Sequence, residues 1–303
     1  MILVTGAGGF IGRQVCALLT RQHADVLAID RNFSVPLPCQ TFTADLTSPD
    51  SIPRLFQEYR FEAVIHLASL LKTASLLDPR EAVRVNIGAS LDLLKQAARN
   101  GVPRFIYGSS ISAYGTKRFS EFGAVSESAP AAPEDVYGAS KRLVEITGES
   151  YRRHAGLQFV ALRISTVLGA GAHSKTSNWR SQIFEKLSSR QPAMIDLPYL
   201  AGEILPLVHV EEVAEVILHL FQASQVAHVI YNDPSENWVC EELARCVSAI
   251  SDKITFRFGQ SQVTGTPQAI DGNRFIEEFD ARLVPLQKRL EEAADQRSSH
   301  GKN

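Results

Sequence analysis

Tyr137 and Lys141 stand four residues apart in the run Tyr137-Gly138-Ala139-Ser140-Lys141. On a helix that spacing puts both side chains on one face. A tyrosine with an ordinary pKa of about 10 is a poor base near neutrality. A cation held beside it favours the phenolate, and a pKa lower by about 3 needs only about 4 kcal/mol of differential interaction. Such a phenolate takes a proton from an alcohol while hydride leaves the same carbon. A second run, Tyr107-Gly108-Ser109-Ser110-Ile111-Ser112-Ala113-Tyr114-Gly115, follows an apolar stretch that reads as a strand. Its hydroxyls emerge at the carboxyl end of a sheet, where ligands bind in open α/β folds. There Ser110 bonds the substrate oxygen that gains or loses the proton.

Hydride chemistry needs a redox partner, and the amino terminus provides a place for one. Thr5-Gly6-Ala7-Gly8-Gly9-Phe10-Ile11-Gly12 puts glycines at 6, 9 and 12, directly after a short apolar strand. Gly6 suits the tight turn, Gly9 lets a pyrophosphate approach the backbone, and Gly12 lets the helix pack on the strand. The free N–H groups at the start of that helix then face the phosphates. Asp30 lies 18 residues beyond Gly12, near the spacing of an acid that binds the adenosine ribose. A carboxylate there repels a 2′-phosphate and favours NAD, while the adjacent Arg31 leaves NADP open. Asp45 reads either as a contact to the adenine edge or as the N-cap of a helix over 48–59. The positive nicotinamide ring of an oxidised dinucleotide adds to the lysine charge that favours the Tyr137 phenolate.

These residues need a scaffold, and the hydrophobic pattern provides one. Strands are expected over 1–5, 25–30, 41–45, 63–67, 104–108 and 157–163, and most are unbroken apolar runs rather than alternating ones. Strands of that kind are buried on both faces, as in a parallel sheet covered by helices. Helical periodicity links them over 11–19, over 79–100 and for about 20 residues from Glu134. The rhythm breaks after residue 168. A loop over 169–175, a helix over 179–189 and an irregular stretch over 192–206 follow. Strands return over 205–210 and 229–232, flanking a helix over 211–223, and further helices are expected over 238–250 and 273–296. The expected fold is α/β, a Rossmann-type doubly wound parallel sheet with a small C-terminal substrate-binding lobe. The core would comprise 1–167 and 205–232, and the lobe 168–204 and 233–303.

Composition narrows the class. An apolar fraction of 45% over 303 residues is enough for a sizeable core, and a net charge of −2 leaves no basic stripe for nucleic acid. No apolar run approaches the roughly 18 residues needed to span a membrane, and residues 1–5 read as a strand rather than a leader. Cys16, Cys39, Cys240 and Cys246 match no zinc or redox spacing, so no metal is expected. A cytoplasmic location is the default expectation.

Several motifs in fixed order now carry a resemblance. They are the 6–12 glycine run, Asp45-Leu46, His66-Leu67-Ala68, Asn86, Ser109-Ser110 with Tyr114-Gly115, the 137–141 run, Leu162-Arg163 and Val208-His209-Val210. Over about 230 residues the chain resembles the extended short-chain dehydrogenase/reductase family, the NAD-dependent epimerase/dehydratase group. The resemblance implies that Ser110, Tyr137 and Lys141 are the catalytic serine, base and lysine, with Lys141 also binding the nicotinamide ribose. It implies cofactor contacts at Phe10, Ile11, Leu46, Leu67 and Ala68, and puts Asn86 near the nicotinamide half of the site. It also implies a homodimer through the helices containing 79–100 and 134–154.

Departures from the family pattern bear on the chemistry. Dehydratases of the group have an Asp-Glu pair where this chain has Ile111 and Ser112, and neither of these carries a proton. Thr166 stands where nucleotide-sugar enzymes often have asparagine, and Leu205-Pro206 where they often have Arg-Asp. Both family positions grip a diphosphate, which needs donors and positive charge. Lys175, Arg180 and Lys186 read as solvated charges. A smaller substrate follows: a free sugar, a sugar acid or another polar secondary alcohol. Ser112, Thr166, His173 and Trp179 are the candidate contacts, with Ser174 and Ser177 in the same loop. The leading reading is an NAD(P)-dependent oxidoreductase acting at a secondary alcohol or ketone carbon. Its alternatives are a nucleotide-sugar epimerase with no net NADH and a non-catalytic NAD(P) sensor.

Overall fold

The computed structural model describes residues 1–172 and 177–295. Its strands are β1 (Ile2–Thr5), β2 (Val26–Asp30), β3 (Gln40–Thr43), β4 (Ala63–His66), β5 (Arg104–Ser110), β6 (Gln158–Ile164), β7 (Thr166–Leu168), β8 (Ala193–Tyr199), β9 (Ile204–His209), β10 (Ile230–Asn232), β11 (Glu236–Val239) and β12 (Ile254–Ser261). Seven of them form one sheet in the order β10-β6-β5-β4-β1-β2-β3, and every neighbouring pair is parallel. The chain winds outward in both directions from the junction of β1 and β4. That junction opens a crevice beyond the carboxyl ends of the strands.

The apolar runs are unbroken because both faces of this sheet are covered. Ile2 and Val4 of β1 join one core with the Phe10–Arg21 and Val210–Gln222 helices, while Leu3 joins a second core with the Ser51–Glu58 and Ser90–Arg99 helices. The side chains of β2, β4, β5 and β6 divide the same way between the two cores. The glycine turn needs its third glycine for contact: a Cβ on Gly12 would lie 2.2 Å from the Gly6 carbonyl oxygen.

The second half departs from the expected pattern in three places. The 204–209 strand does not enter the large sheet. It pairs with β7 and β11 in a separate three-stranded sheet, while β10 completes the large sheet beside β6. The stretch read as irregular contains β8, which pairs in parallel with β12. Its period-two signal was present, with Ile195 and Leu197 buried and Met194, Asp196 and Pro198 exposed, but Pro198 obscured it. The helix expected over 273–296 is two, Asn273–Phe279 and Leu286–Asp295. The first ends on Asp280 in the left-handed region (φ 46°), and Pro285 stands before the second. β8, β9, β12 and the Leu286–Asp295 helix share a third core with the Trp179–Ser189 helix, around Ile183, Leu197, Leu207, Leu243 and Leu290, while Tyr231 and Phe275 join the first core. No helix among the described residues is long and apolar enough to cross a membrane.

Candidate active site

One cavity of about 920 Å³ opens over the β1–β4 junction. Gly6, Gly9, Phe10, Ile11 and Gly12 line one end, beneath the start of the Phe10–Arg21 helix, which Gly9 caps without a side chain. Asp30 and Arg31 reach the same end from β2. The Asp30 carboxylate accepts the Gly8 N–H at 3.0 Å and the Arg31 N–H at 2.7 Å, so it is fixed beside the glycine turn. Asp45, Leu46, Leu67 and Ala68 also line the cavity. Asp45 does not cap the helix behind it. Its carboxylate accepts the backbone N–H and the hydroxyl of Thr47, which holds its pKa below the usual range, and Asp50 occupies the N-cap position. This end combines free helix N–H groups, glycine-only contacts and a fixed carboxylate at a ribose-reading position. It fits a dinucleotide.

Asn86 does not line the cavity. It lies in a π-helical segment, Val83–Ala89, that interrupts the Pro79–Arg99 helical run. Its side chain accepts the Leu70 N–H at 2.7 Å and donates to the Leu70 carbonyl at 2.9 Å. Asn86 therefore clamps the loop after β4, and that loop forms the wall. Behind it, Ser90 donates to the Asn86 carbonyl and bonds His66 Nε2 at 2.8 Å, and Thr5 Oγ1 bonds His66 Nδ1 at 2.6 Å. Burial, with the Lys141 charge, pushes His66 down to about 3, so it serves this chain as a neutral ring.

The other end of the cavity collects Ser110, Ser112, Tyr137, Lys141 and Thr166. The Val136–Ala155 helix carries two of them, and the Asp135 carboxylate caps it by accepting the Gly138 N–H at 2.8 Å. Lys141 is buried and its ammonium donates to the Gly108 carbonyl at 2.7 Å. It lies 5.5 Å from the Tyr137 ring centroid and 4.9 Å from that of Tyr107. Ser110 Oγ accepts the Ser112 N–H at 3.1 Å, and the Ser110 hydroxyl also reaches the Tyr137 phenol.

The electrostatics differ from the simple expectation of a lowered tyrosine. Burial pushes the Tyr137 phenol up to about 12, aided by the Asp135 carboxylate and opposed by Ser110 and by Arg180. Burial also brings Lys141 down to about 7, opposed by Glu145. Taking charge into this low-dielectric site disfavours both the phenolate and the ammonium. Without ligands the pair therefore rests with the phenol protonated.

Two further readings change, those of Arg180 and Trp179. Arg180, read as a solvated charge, lines the cavity, and burial lowers its pKa while Tyr199 and Tyr137 oppose that. Its Nε is buried with no hydrogen-bond partner among the described residues. Trp179, read as a substrate contact, is buried in the third core because it begins the helix whose other face carries Arg180. Lys186 points away and meets Gln191 at 3.5 Å. His173, with Ser174 and Lys175, lies outside the described residues, whereas Ser177 lines the cavity.

Comparison with known proteins adds an independent observation. The family model described as the NAD dependent epimerase/dehydratase family matches residues 2–232. The UDP-glucose 4-epimerase of Azospirillum brasilense is 31% identical over 181 residues, covering 58% of this chain and 51% of that protein. The match thus spans about half the length of that relative. The solved UDP-glucose 4-epimerase of Thermus thermophilus in complex with NAD superposes with a TM-score of 0.83 at 23% identity, over 99% of each chain. The L-threonine 3-dehydrogenase of Trypanosoma brucei superposes with a TM-score of 0.87 at 19% identity, over 97% of this chain and 96% of that one. At these identities the superpositions establish the fold.

The buried lysine makes stability depend on pH with a definite sign. Its folded value of about 7 lies below the ordinary 10.5. Between these values the unfolded chain holds a proton that the folded chain has released, so this group makes stability rise with pH across that window. Below about 7 the cost of the buried charge is complete. Lys141→Met should therefore be more stable than the parent at pH 6, with the gain shrinking toward pH 10. Urea denaturation midpoints at the two pH values measure it, and an equal difference at both would reject the assignment.

Proposed function

The chain belongs to the NAD dependent epimerase/dehydratase family, and from that premise we propose that it is a net oxidoreductase acting on a small hydroxy acid of sugar-like type. NAD is its cofactor, and when bound it supplies the hydride acceptor for an alcohol or the donor for a ketone. Gly9, the Phe10–Gly12 turn, Asp30 and Asp45 hold its adenosine and pyrophosphate half, and Lys141 its nicotinamide ribose.

The chain's own residues handle the proton. The substrate oxygen sits between the Ser110 hydroxyl and the Tyr137 phenol. In the reducing direction Tyr137 is already protonated and gives its proton to the developing alkoxide. In the oxidising direction Tyr137 starts as the phenolate, which the positive charges of Lys141 and Arg180 stabilise, and it becomes the phenol by taking the proton of the alcohol. Ile111 and Ser112 offer no acid–base pair for elimination, so the reaction ends at hydride transfer.

The observation that carries the substrate class is Arg180. An arginine that lines a cavity, feels Tyr137, and has a buried Nε without a partner among the described residues is poised for an anion. A carboxylate matches its planar donor fork. The positions that would grip a diphosphate are committed elsewhere. Leu205 is buried in the third core, and Pro206 lies in β9 opposite Asn237 of β11. A carboxylate on a short substrate satisfies both facts. The epimerase names among the relatives favour a second reading, in which the same hydride returns to the opposite face.

The proposal also includes a homodimer. Val83, Leu143 and Ile146 are exposed apolar residues on the Val83–Ala89 segment and the Val136–Ala155 helix, which pack side by side. Exposed apolar residues grouped in this way suit a second copy. Ile146→Glu should then sediment as a monomer while the parent sediments as a dimer. A monomeric parent would reject the dimer.

Two variants test the chemistry. The purified protein is screened against sugar acids, free sugars and nucleotide sugars by NADH absorbance. Net NADH with a sugar acid is the expected result, and product with no bulk NADH selects the epimerase. Tyr137→Phe should lose about 10³-fold in turnover while binding NAD as the parent does, and retained turnover rejects Tyr137 as the base. Arg180→Met should raise KM for the acid about 100-fold, the scale of a lost buried charge-assisted contact, and leave KM for the matching uncharged sugar alone. An equal effect on both substrates would remove the carboxylate from the proposal.

A further inference from the structure

Beneath the catalytic pair lies a buried charge that the proposed reaction does not use. Glu145 follows Lys141 by one helical turn and its side chain is fully buried. One carboxylate oxygen accepts the Ser109 hydroxyl at 2.6 Å and Arg163 Nε at 2.8 Å. The other accepts Arg163 Nη2 at 2.7 Å and Arg142 Nη1 at 3.1 Å. Ser109 and Arg163 are register partners on β5 and β6, so one carboxylate pins both strands to the helix.

The pinned segment is the one that carries the site. Along β5, Tyr107 lies under the Lys141 ammonium, the Gly108 carbonyl accepts its hydrogen bond, Ser109 donates to Glu145, and Ser110 faces Tyr137. We infer that Glu145 is the positioning residue of the Tyr137–Lys141 pair, fixing the register between the 108–110 strand end and the catalytic helix through Ser109 and Arg163. Its negative charge also acts on Lys141, opposing the burial that would strip the proton. The groups facing Lys141 are the Tyr107 and Tyr137 rings, Glu145 and the neutral His66. Those facing Glu145 are Arg142 on its own helix, Arg163 on β6 and Ser109 on β5.

A purely stabilising role explains the arrangement less well. Apolar replacements of a buried ion pair are often as stable as the pair itself. This pair also leaves Arg163 Nη1 buried without a hydrogen bond among the described residues, although the guanidinium stacks 4.2 Å above the Tyr114 ring centroid. The network reaches β5 at Ser109, between Gly108, whose carbonyl accepts the Lys141 hydrogen bond, and Ser110.

The inference rests on the proposed hydride chemistry only for its effect on rate, so the test has two arms. The first is a carbon-13 NMR titration of the lysine side chains in the full chain without cofactor or substrate, with the Lys141 resonance assigned by its loss in Lys141→Met. In Glu145→Gln the Lys141 midpoint should fall by about one pH unit, and in Glu145→Asp it should stay near the parent. The double variant Glu145→Gln with Arg163→Met removes the stranded cation. It should recover the thermal stability lost in Glu145→Gln and keep the lowered midpoint, and it carries the measurement if Glu145→Gln alone does not fold. The second arm is turnover. Glu145→Gln should lower kcat at least tenfold and move its alkaline limb to lower pH, with Glu145→Asp restoring most of both. A folded Glu145→Gln, or double variant, with the parent Lys141 midpoint and parent kcat overturns the inference. Tyr137→Phe separates the two claims: if it keeps full turnover, Tyr137 fails as the base whatever the titration shows, and if it loses turnover while the Glu145→Gln midpoint is unmoved, only the positioning role fails.

Discussion

The structure depends on how closely the Val136–Ala155 helix lies on the end of β5. A Cβ on Gly138 would stand 2.4 Å from the Ser112 carbonyl oxygen, so only glycine permits that approach. The approach brings Lys141 within 2.7 Å of the Gly108 carbonyl and lets the Ser110 hydroxyl meet Tyr137. The cavity depends on it too, because the same strand end forms one wall and the helix start another. Sheet, helix and crevice are thus coupled through one backbone contact of a few ångströms, and dense packing carries any change there into the reacting groups.

That closeness sets the electrostatics. A tyrosine and a lysine taken out of water both lose their charged forms, so the pair rests near neutrality rather than as a preformed phenolate and ammonium. Such a pair suits a reversible reaction. The phenol is ready to give a proton, and positive charge added by a bound oxidised cofactor would favour the phenolate that takes one. Arg180 matters twice in this arrangement. It opposes the rise of the phenol, and a bound carboxylate would partly cancel that help. On the proposed reading, the base would then be strongest where the anchoring anion is held away from the phenol.

The parts of the site that sequence reading recovers are those whose chemistry is local. Glycines before a helix, Asp30 at a strand end, and Tyr137 and Lys141 one turn apart all declare themselves within a few residues. Parts that depend on a distant element do not. Trp179 and Arg180 are adjacent in a loop-to-helix junction, and only the position of the third core decides that the first is packing and the second faces the cavity. Asn86 looks like a ligand contact by motif, yet its amide is spent on Leu70. Glu145 reads as an ordinary charge on a long helix until β6 brings Arg163 beneath it. The parallel β8–β12 pair joins segments some 60 residues apart in the chain. Parallel pairing has no hairpin turn to announce it, and Pro198 hid the alternation in β8.

The same distinction bears on what the small lobe selects. Its core includes Leu205, Leu207, Trp179 and Phe184. Filling that space with apolar side chains stabilises a compact lobe, since each buried leucine contributes about 2 kcal/mol. On the proposed reading, the same apolar residues would offer no donors to a diphosphate. Arg180 stands on the cavity side of the Trp179–Ser189 helix, close enough to the phenol to be felt there. A substrate held at that cation and at the Ser110–Tyr137 pair is bounded at both ends by the distance between them. On the proposed reading, that spacing would fix which carbon of a short substrate faces the tyrosine.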